Sequence, residues 1–106
     1  MTTHPIDRLF VAIEARKGAD PSVSYTAKLL AEGRIKCAMK LGEEAIETCL
    51  AAAGEDRTAL TAESADLLYH LLVLWAASGL KPDDVYRALA AREGQSGLEE
   101  KAARTR

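Results

Sequence analysis

The apolar positions near the start of the chain repeat with the period of a helix. From Ile6 to Ile13 they occupy positions i, i+3, i+4 and i+7, which predicts an amphipathic helix that ends at Gly18. After a short turn, Ser22 or Ser24 can cap a second, shorter helix that Gly33 closes or kinks. The first third of the chain is therefore predicted to form two helices.

Two longer helices are predicted in the middle of the chain. The first runs from Arg34 to about Ala53, and its apolar residues keep the helical period: Ile35, Ala38, Met39, Gly42, Ile46, Cys49, Leu50 and Ala53. The second runs from about Ala59 to Ser78 and is almost wholly apolar from Ala65 to Ala77, which is typical of a helix covered on most sides. The connection between them is short, with Gly54 as a natural C′ residue, so an antiparallel hairpin is expected.

Composition supports an all-α fold. The 106 residues suit one domain, and the hydrophobic fraction of 48% is rich in Ala and Leu while aromatic residues make up only 5%. A last helix opens at Pro82 and stops near Gly94. We therefore expect a bundle of about four to five helices in a single domain over residues 1–94, followed by a flexible or weakly helical tail over residues 95–106.

Charge and apolar run length exclude several classes of function. The net charge of −2 gives no basic field for nucleic acid, and the apolar run Leu67 to Ala77 falls short of the roughly 20 residues that span a membrane. Cys37 and Cys49 would lie about 18 Å apart on one helix, too far for a disulfide. With no secretory signal at the N-terminus, the expected location is the cytoplasm.

Five carboxylates lie on the predicted hairpin: Glu43, Glu44, Glu47, Glu63 and Asp66. The spacing of three residues within Glu44/Glu47 and within Glu63/Asp66 puts each pair on one helix face, and counting from the connection brings the pairs level. Each acid alone is typical of a solvated helix, but Asp66 begins an apolar run, where a carboxylate needs a cation or several donors. A structural Asp with satisfied hydrogen bonds is the alternative. The joint pattern favours Mg²⁺ bound together with substrate phosphates.

Lysine residues lie at one end of this candidate site. Lys36 and Lys40 precede the acids on the same arc of the helix, where they could meet the far end of a polyphosphate. The simpler interpretation of Lys40 is an ion pair with Glu43 or Glu44 within the helix. His70 is interpreted as a core histidine, and Tyr69 and Trp75 as core or interface aromatics.

Three segments resemble the phosphoribosyl-ATP pyrophosphohydrolase family: SYTAKLL (Ser24 to Leu30), KLGEEAIE (Lys40 to Glu47) and ESADLLYHLLVLWA (Glu63 to Ala76). The resemblance covers roughly Ile6 to Arg92, and the EExxE and ExxD motifs alone are shared with the wider MazG-like superfamily of all-α nucleotide pyrophosphohydrolases. It implies Mg²⁺-dependent hydrolysis of phosphoribosyl-ATP to phosphoribosyl-AMP and pyrophosphate, the second step of histidine biosynthesis, by a helical homodimer. Some members are fused to the next enzyme, phosphoribosyl-AMP cyclohydrolase, which we expect here on a separate chain.

The resemblance also implies roles for individual residues. The residues that match the metal ligands of the family by position are Glu44, Glu47, Glu63 and Asp66, with Glu43 as an additional or outer carboxylate. On physical grounds, an acid not fully occupied by metal would activate the water, and Glu44 or Glu47 is the candidate for that role. Basic positions of the family match Lys28, Lys36 and Lys40, which implies substrate binding. Leu41 stands where many relatives carry Val.

Dimerisation has a separate argument from the residues. A hairpin whose second helix is apolar nearly all round is not covered by three short helices, so pairing with a second hairpin would complete a four-helix bundle. Two other functions remain open from the residues alone: a house-cleaning pyrophosphohydrolase of ordinary or damaged nucleoside triphosphates, and a non-enzymatic helical dimerisation module. A di-iron bundle is disfavoured because the chain has no Glu-x-x-His pair.

Overall fold

The computed structural model describes residues 4–94, which form five helices and, within that range, no strand. The helices are α1 (Pro5–Glu14), α2 (Tyr25–Glu32), α3 (Arg34–Ala53), α4 (Arg57–Ala77) and α5 (Pro82–Ala90). The predicted all-α fold with a central hairpin is confirmed. The expected tail over residues 95–106 lies outside the described residues, and the single-domain boundary stays a prediction.

The helix ends follow their capping side chains. Ser24, rather than Ser22, caps α2, because its Oγ accepts a hydrogen bond from the N–H of Ala27 at 3.1 Å. Asp56 caps α4 by accepting from the N–H of Ala59 at 3.0 Å, so α4 begins about two residues before its predicted start. Between α2 and α3, Gly33 holds φ at 97°, a conformation that L residues rarely adopt.

The connection between α3 and α4 corrects one expectation. Gly54 was expected to supply the left-handed residue after α3, but its φ is −80°. Glu55 adopts the left-handed conformation instead, with φ of 56°. A side chain with a Cβ therefore occupies the position that glycine usually fills at the end of a helix.

The core is built around the C-terminal half of α4. Its buried apolar residues are Leu72, Val73, Trp75 and Ala76, and they pack with Phe10 and Ile13 of α1, Leu29 of α2 and Cys37 of α3. The most extensive helix contact joins α3 to α4, and α1 and α2 cover further parts of α4. Helix α5 packs against α1, where the Tyr86 hydroxyl donates to Asp7 Oδ1 at 2.9 Å.

The apolar stripe of α3 points away from this core. Ile46 is 63% exposed and Leu50 is 61% exposed, and the other members of the stripe are exposed as well: Ile35, Ala38, Met39, Gly42, Cys49 and Ala53. The face of α3 turned towards α4 instead carries Glu44 and Thr48. An uncovered apolar face therefore lies on α3, whereas α4, the helix that the sequence suggested, is covered from Tyr69 onward and exposes Leu68 before that point.

None of the helices in the described part of the chain has both the length and the hydropathy needed to cross a membrane.

Candidate metal centre between the two long helices

Three of the five predicted acids meet across the contact between α3 and α4. Glu44 of α3 and Glu63 and Asp66 of α4 each offer a carboxylate oxygen, and these oxygens all lie within 4.8 Å of one another. Glu44 and Glu63 are partly buried, whereas Asp66 is exposed. The apolar run that Asp66 begins does not draw this residue into the core, because α4 becomes continuously covered only from Tyr69 onward.

At the level of these acids, Thr48 is hydrogen-bonded to the backbones of both α3 and α4. Its Oγ1 donates to the carbonyl oxygen of Glu44 at 2.8 Å, within α3, and to the carbonyl oxygen of Glu63 at 3.3 Å, across to α4. A hydroxyl has one proton, so the two contacts form a shared, three-centre hydrogen bond. The two backbones that carry Glu44 and Glu63 are thereby held in a fixed register.

The acids disturb one another electrostatically. The pKa of the Glu63 carboxyl is raised above its ordinary value, first by burial, then by a hydrogen bond with the Glu44 side chain and by the charges of Glu44, Asp66 and Glu47. Clustering several carboxylates in this way is unfavourable unless a proton or a cation offsets their charge. The arrangement therefore suits a positive ligand.

Glu43 and Glu47 take positions at the edge of the three-acid group. Glu47 is exposed and lies outside the group, although its charge still raises the pKa of Glu63. Glu43 is exposed and pairs with Lys40 within α3, with Nζ and Oε1 3.6 Å apart. That contact is the ion pair that the sequence offered as the simpler interpretation of Lys40.

The donor set fits a hard divalent cation. Three carboxylates from two adjacent helices supply oxygen ligands without a thiolate, a donor set that suits hard cations such as Mg²⁺, Ca²⁺ and Mn²⁺. Mg²⁺ usually retains waters and also binds phosphate oxygens, so a site with few protein ligands suits it. Glu44, Glu63 and Asp66 are therefore the residues that could hold the ion.

The predicted lysines meet in a cavity beside the acids. This cavity of about 320 Å³ lies between α2 and α3 and is lined by Tyr25, Lys28, Leu29, Glu32, Lys36, Lys40 and Glu43. Glu43 belongs to the cavity lining and is the sequence neighbour of Glu44, so the cationic cavity adjoins the carboxylate cluster. Tyr25 and Glu32 were not predicted as site residues, although the spacing of Lys28 and Glu32 at four residues puts these two on one face of α2.

His70 is the residue that the sequence interpretation most undervalued. It is only 6% exposed, as a core histidine should be, but its Nε2 lies 3.9 Å from Oε1 of Glu44. Burial first and then the charge of Lys40 lower the pKa of His70, against the opposing charges of Asp66 and Glu43. The available signal was its position four residues after Asp66, which places it one turn along the same helix.

Comparisons with known proteins show the family to which the chain belongs. The family model described as phosphoribosyl-ATP pyrophosphohydrolase matches residues 6–93. A phosphoribosyl-ATP pyrophosphatase of Parvibaculum lavamentivorans is 64% identical over 99 residues, covering 93% of this chain and 91% of the relative. A protein of the same name from Azospirillum brasilense is 58% identical, with 93% and 89% of the two chains covered. Another from Caulobacter vibrioides is 60% identical, with 96% and 94% covered. The chain therefore belongs to the phosphoribosyl-ATP pyrophosphohydrolase family.

Proposed function

We propose that this protein hydrolyses phosphoribosyl-ATP to phosphoribosyl-AMP and pyrophosphate, the second step of histidine biosynthesis. The observation that carries the proposal is the convergence of Glu44, Glu63 and Asp66 at one point between α3 and α4. Membership of the family, the names of its relatives and the adjoining lysine-lined cavity support it. Anionic polyphosphate and divalent metal are complementary to these two neighbouring regions.

The metal in this proposal is Mg²⁺, held by Glu44, Glu63 and Asp66, with Glu47 as a further ligand and Glu43 as an outer carboxylate. When bound, the ion would neutralise phosphate charge and stabilise the charge that develops on the departing pyrophosphate. The protein's own contribution is to bring acids from two helices together and to keep them there through Thr48.

The lysines would bind the phosphates of the substrate and determine its orientation in the site. Lys28, Lys36 and Lys40 line one cavity, and their ammonium groups can receive the phosphates that lie beyond the metal. Glu43, which pairs with Lys40, would keep that ammonium group near the boundary between the cavity and the acids. The triphosphate would then lie across the boundary, with the bond to be cleaved beside the carboxylates.

A carboxylate would accept the proton of the attacking water. Water adds to the α-phosphorus, the bond to the bridging oxygen of the β-phosphate breaks, and pyrophosphate leaves. Of the two candidates, Glu44 lies within the three-acid group, whereas Glu47 lies outside it and is exposed. Even as a further ligand, Glu47 would be less fully occupied by the ion than Glu44, so we assign it the role of accepting the proton.

We also propose that the protein works as a homodimer formed through α3. The exposed stripe that includes Ile46 and Leu50 runs along the whole length of that helix. A continuous apolar helix face is typical of an interaction surface, and a second copy of the hairpin would bury it in a four-helix bundle. The separate phosphoribosyl-AMP cyclohydrolase would consume the product.

The decisive test is pyrophosphate release from phosphoribosyl-ATP compared with ATP and dCTP, each with and without Mg²⁺. We expect release from phosphoribosyl-ATP only when Mg²⁺ is present. Comparable release from ATP and dCTP would instead show a house-cleaning enzyme. Absence of release from all three, together with no heat of Mg²⁺ binding in calorimetry, would indicate a non-enzymatic dimerisation module.

Substitutions in the acid cluster test the assignment of the site. Glu47→Gln and Asp66→Asn should each lower turnover by about 100-fold or more while leaving helical content unchanged, since they remove charge and nearly keep shape. Glu14→Gln is the matched control, because Glu14, the last residue of α1, pairs with Lys17 at 3.1 Å and belongs to no part of the site. Turnover that survives both site substitutions would show that the assignment is wrong.

A further inference from the structure

His70 is only 6% exposed, but it has two features that a residue serving only to fill the core does not need. Its Nε2 lies 3.9 Å from the nearest oxygen of Glu44, and its Nδ1 is buried with no hydrogen-bond partner among residues 4–94. Buried polar atoms are nearly always paired, so an unpaired ring nitrogen beside a carboxylate requires a reason. An apolar side chain of similar volume would avoid that cost.

The ring nitrogens indicate which tautomer is present. In the Nε2–H tautomer, the proton on Nε2 faces the Glu44 carboxylate and attracts it. In the Nδ1–H tautomer, the proton would be buried without an acceptor, and the lone pair on Nε2 would face the carboxylate. The Nε2–H tautomer is therefore favoured. The present separation is longer than a hydrogen bond, and closing it takes a shift of about 1 Å, of the kind that catalytic contacts undergo when ligands bind.

Neighbouring side chains hold the imidazole ring in place. Tyr69 packs edge to face against it with ring centroids 5.0 Å apart, and Tyr25 does so from α2 at 6.2 Å. The Tyr69 hydroxyl is in turn hydrogen-bonded to the Thr26 hydroxyl of α2. Helix α2, which lines the lysine cavity, thus restricts the orientation of a histidine that lies against an acid of the metal cluster.

We propose that His70 is a positioning residue for the metal site: its Nε2–H donates to one oxygen of Glu44 and so directs the other oxygen towards the cation. The inference rests on the proposed metal site at Glu44, Glu63 and Asp66. Hydrogen bonds from an outer residue to a ligating carboxylate fix its rotamer, and their loss typically weakens metal binding by about 10-fold to 100-fold. His70 does not contact the metal in this arrangement.

The direct test is Mn²⁺ binding to the metal-free protein, measured from the electron paramagnetic resonance signal of free Mn²⁺. We expect His70→Leu to weaken binding by about 10-fold to 100-fold. His70→Gln retains an N–H donor and should bind Mn²⁺ more tightly than His70→Leu. Ile13→Val is the control, since it reduces packing in the same core from α1 and should lower the unfolding temperature while leaving Mn²⁺ affinity unchanged.

Each outcome has a distinct meaning. If wild-type protein binds no Mn²⁺, the proposed metal site fails and the role of His70 fails with it. If wild-type protein binds Mn²⁺ and His70→Leu binds it equally well, only the role of His70 is overturned. The same conclusion follows if Ile13→Val weakens Mn²⁺ binding as much as His70→Leu does, because loss of packing alone would then explain the effect.

A measurement on the unmodified protein covers the case in which His70→Leu does not fold. The chain has two histidines, so ¹⁵N-detected imidazole spectra contain two ring systems, and a His4→Asn variant assigns them. We expect His70 to show the Nε2–H tautomer and its nitrogen shifts to change along the Mg²⁺ saturation curve. The proposal would be overturned by an Nδ1–H tautomer, or by imidazole nitrogen shifts that do not change when Mg²⁺ is added.

Discussion

At the scale of single residues, Glu63 is the acid of the site whose pKa is raised by its neighbours. Its carboxyl group is partly buried, and its pKa is raised by that burial and by three neighbouring acids. A carboxyl group whose pKa is higher in the folded than in the unfolded chain stabilises the fold when the pH lies below its pKa in the unfolded chain. This stabilisation is lost as the pH rises through the pKa of the folded chain. Metal-free protein should therefore become less stable between mildly acidic and neutral pH because of this group.

The corresponding prediction concerns Glu63→Gln in the presence of a chelator. The variant carries no charge at this position at any pH, so we expect it to unfold at a higher temperature than wild type near neutral pH and to lose that advantage on acidification below the ordinary pKa of 4.5. With Mg²⁺ added, the order should reverse, because wild type gains the ion's binding energy. Thermal unfolding followed by circular dichroism measures both effects. A difference that does not change with pH would contradict the electrostatic explanation.

The residues of the site were predictable to different degrees. The acids could be identified because spacing along a helix determines which side chains share a face, and Glu44, Glu63 and Asp66 do meet. The role of Tyr25 depends on how α2 crosses α4, which no local spacing records. The position of His70 one turn after Asp66 was visible in the sequence, but its contact with Glu44 depends on how α3 packs against α4. The exposure of Asp66 was not predictable either, since an apolar run does not reveal where along a helix its neighbours begin to cover it.

At the scale of elements, the link from α3 to α4 contains a local strain. Glu55 adopts a φ of 56°, and a left-handed conformation costs an L residue about 1 to 2 kcal/mol. Glu55→Gly removes that cost but adds backbone entropy to the unfolded chain, so we expect a net gain of about 0.5 to 1 kcal/mol in the free energy of unfolding. Urea denaturation provides the measurement.

Glu55→Ala serves as the control for this change. It also removes the exposed carboxylate but keeps the Cβ that makes the conformation unfavourable, so it should give no comparable gain. Equal stabilisation by both variants would attribute the effect to charge rather than to backbone conformation. Loss of stability in Glu55→Gly would show that the flexibility of glycine outweighs the relief of strain.

Helices were easier to predict than their environments. Caps and breakers are local, so Ser24, Asp56 and Pro82 mark helix starts that can be read from the chain. The apolar stripe of α3 was found as well, but periodicity shows only that a face is apolar, not what covers it. In one protomer it is the acidic side of α3 that packs against α4, because Thr48 and Glu44 make the contacts there.

At the scale of the whole molecule, the exposed face of α3 determines the expected assembly. We predict that light scattering gives twice the chain mass of 11.4 kDa for wild type and the single chain mass for Ile46→Asp. The reason is that Ile46, 63% exposed in one protomer, would be buried in the dimer, where an unpaired carboxylate is costly.

The control for dimer disruption lies on α1. Val11 has a similar exposure of 66% but is not part of the α3 stripe, so Val11→Asp should remain dimeric. A wild-type protein that is monomeric at micromolar concentration would refute the assembly. Dissociation of both variants would mean that charge anywhere on the surface prevents association and that α3 has no special part in it.

The two cysteines differ in accessibility, and this difference allows one of them to be labelled selectively. Cys37 is buried, its Sγ donates to the carbonyl oxygen of Leu29 at 3.3 Å, and burial together with the charge of Glu32 raises its thiol pKa. Cys49 is exposed and free, and it belongs to the α3 stripe with Ile46 and Leu50. A maleimide dye would therefore attach at Cys49 and spare Cys37, since thiol reagents need an accessible thiolate. The natural sequence thus provides a single labelling position on the helix face where a second copy is proposed to bind.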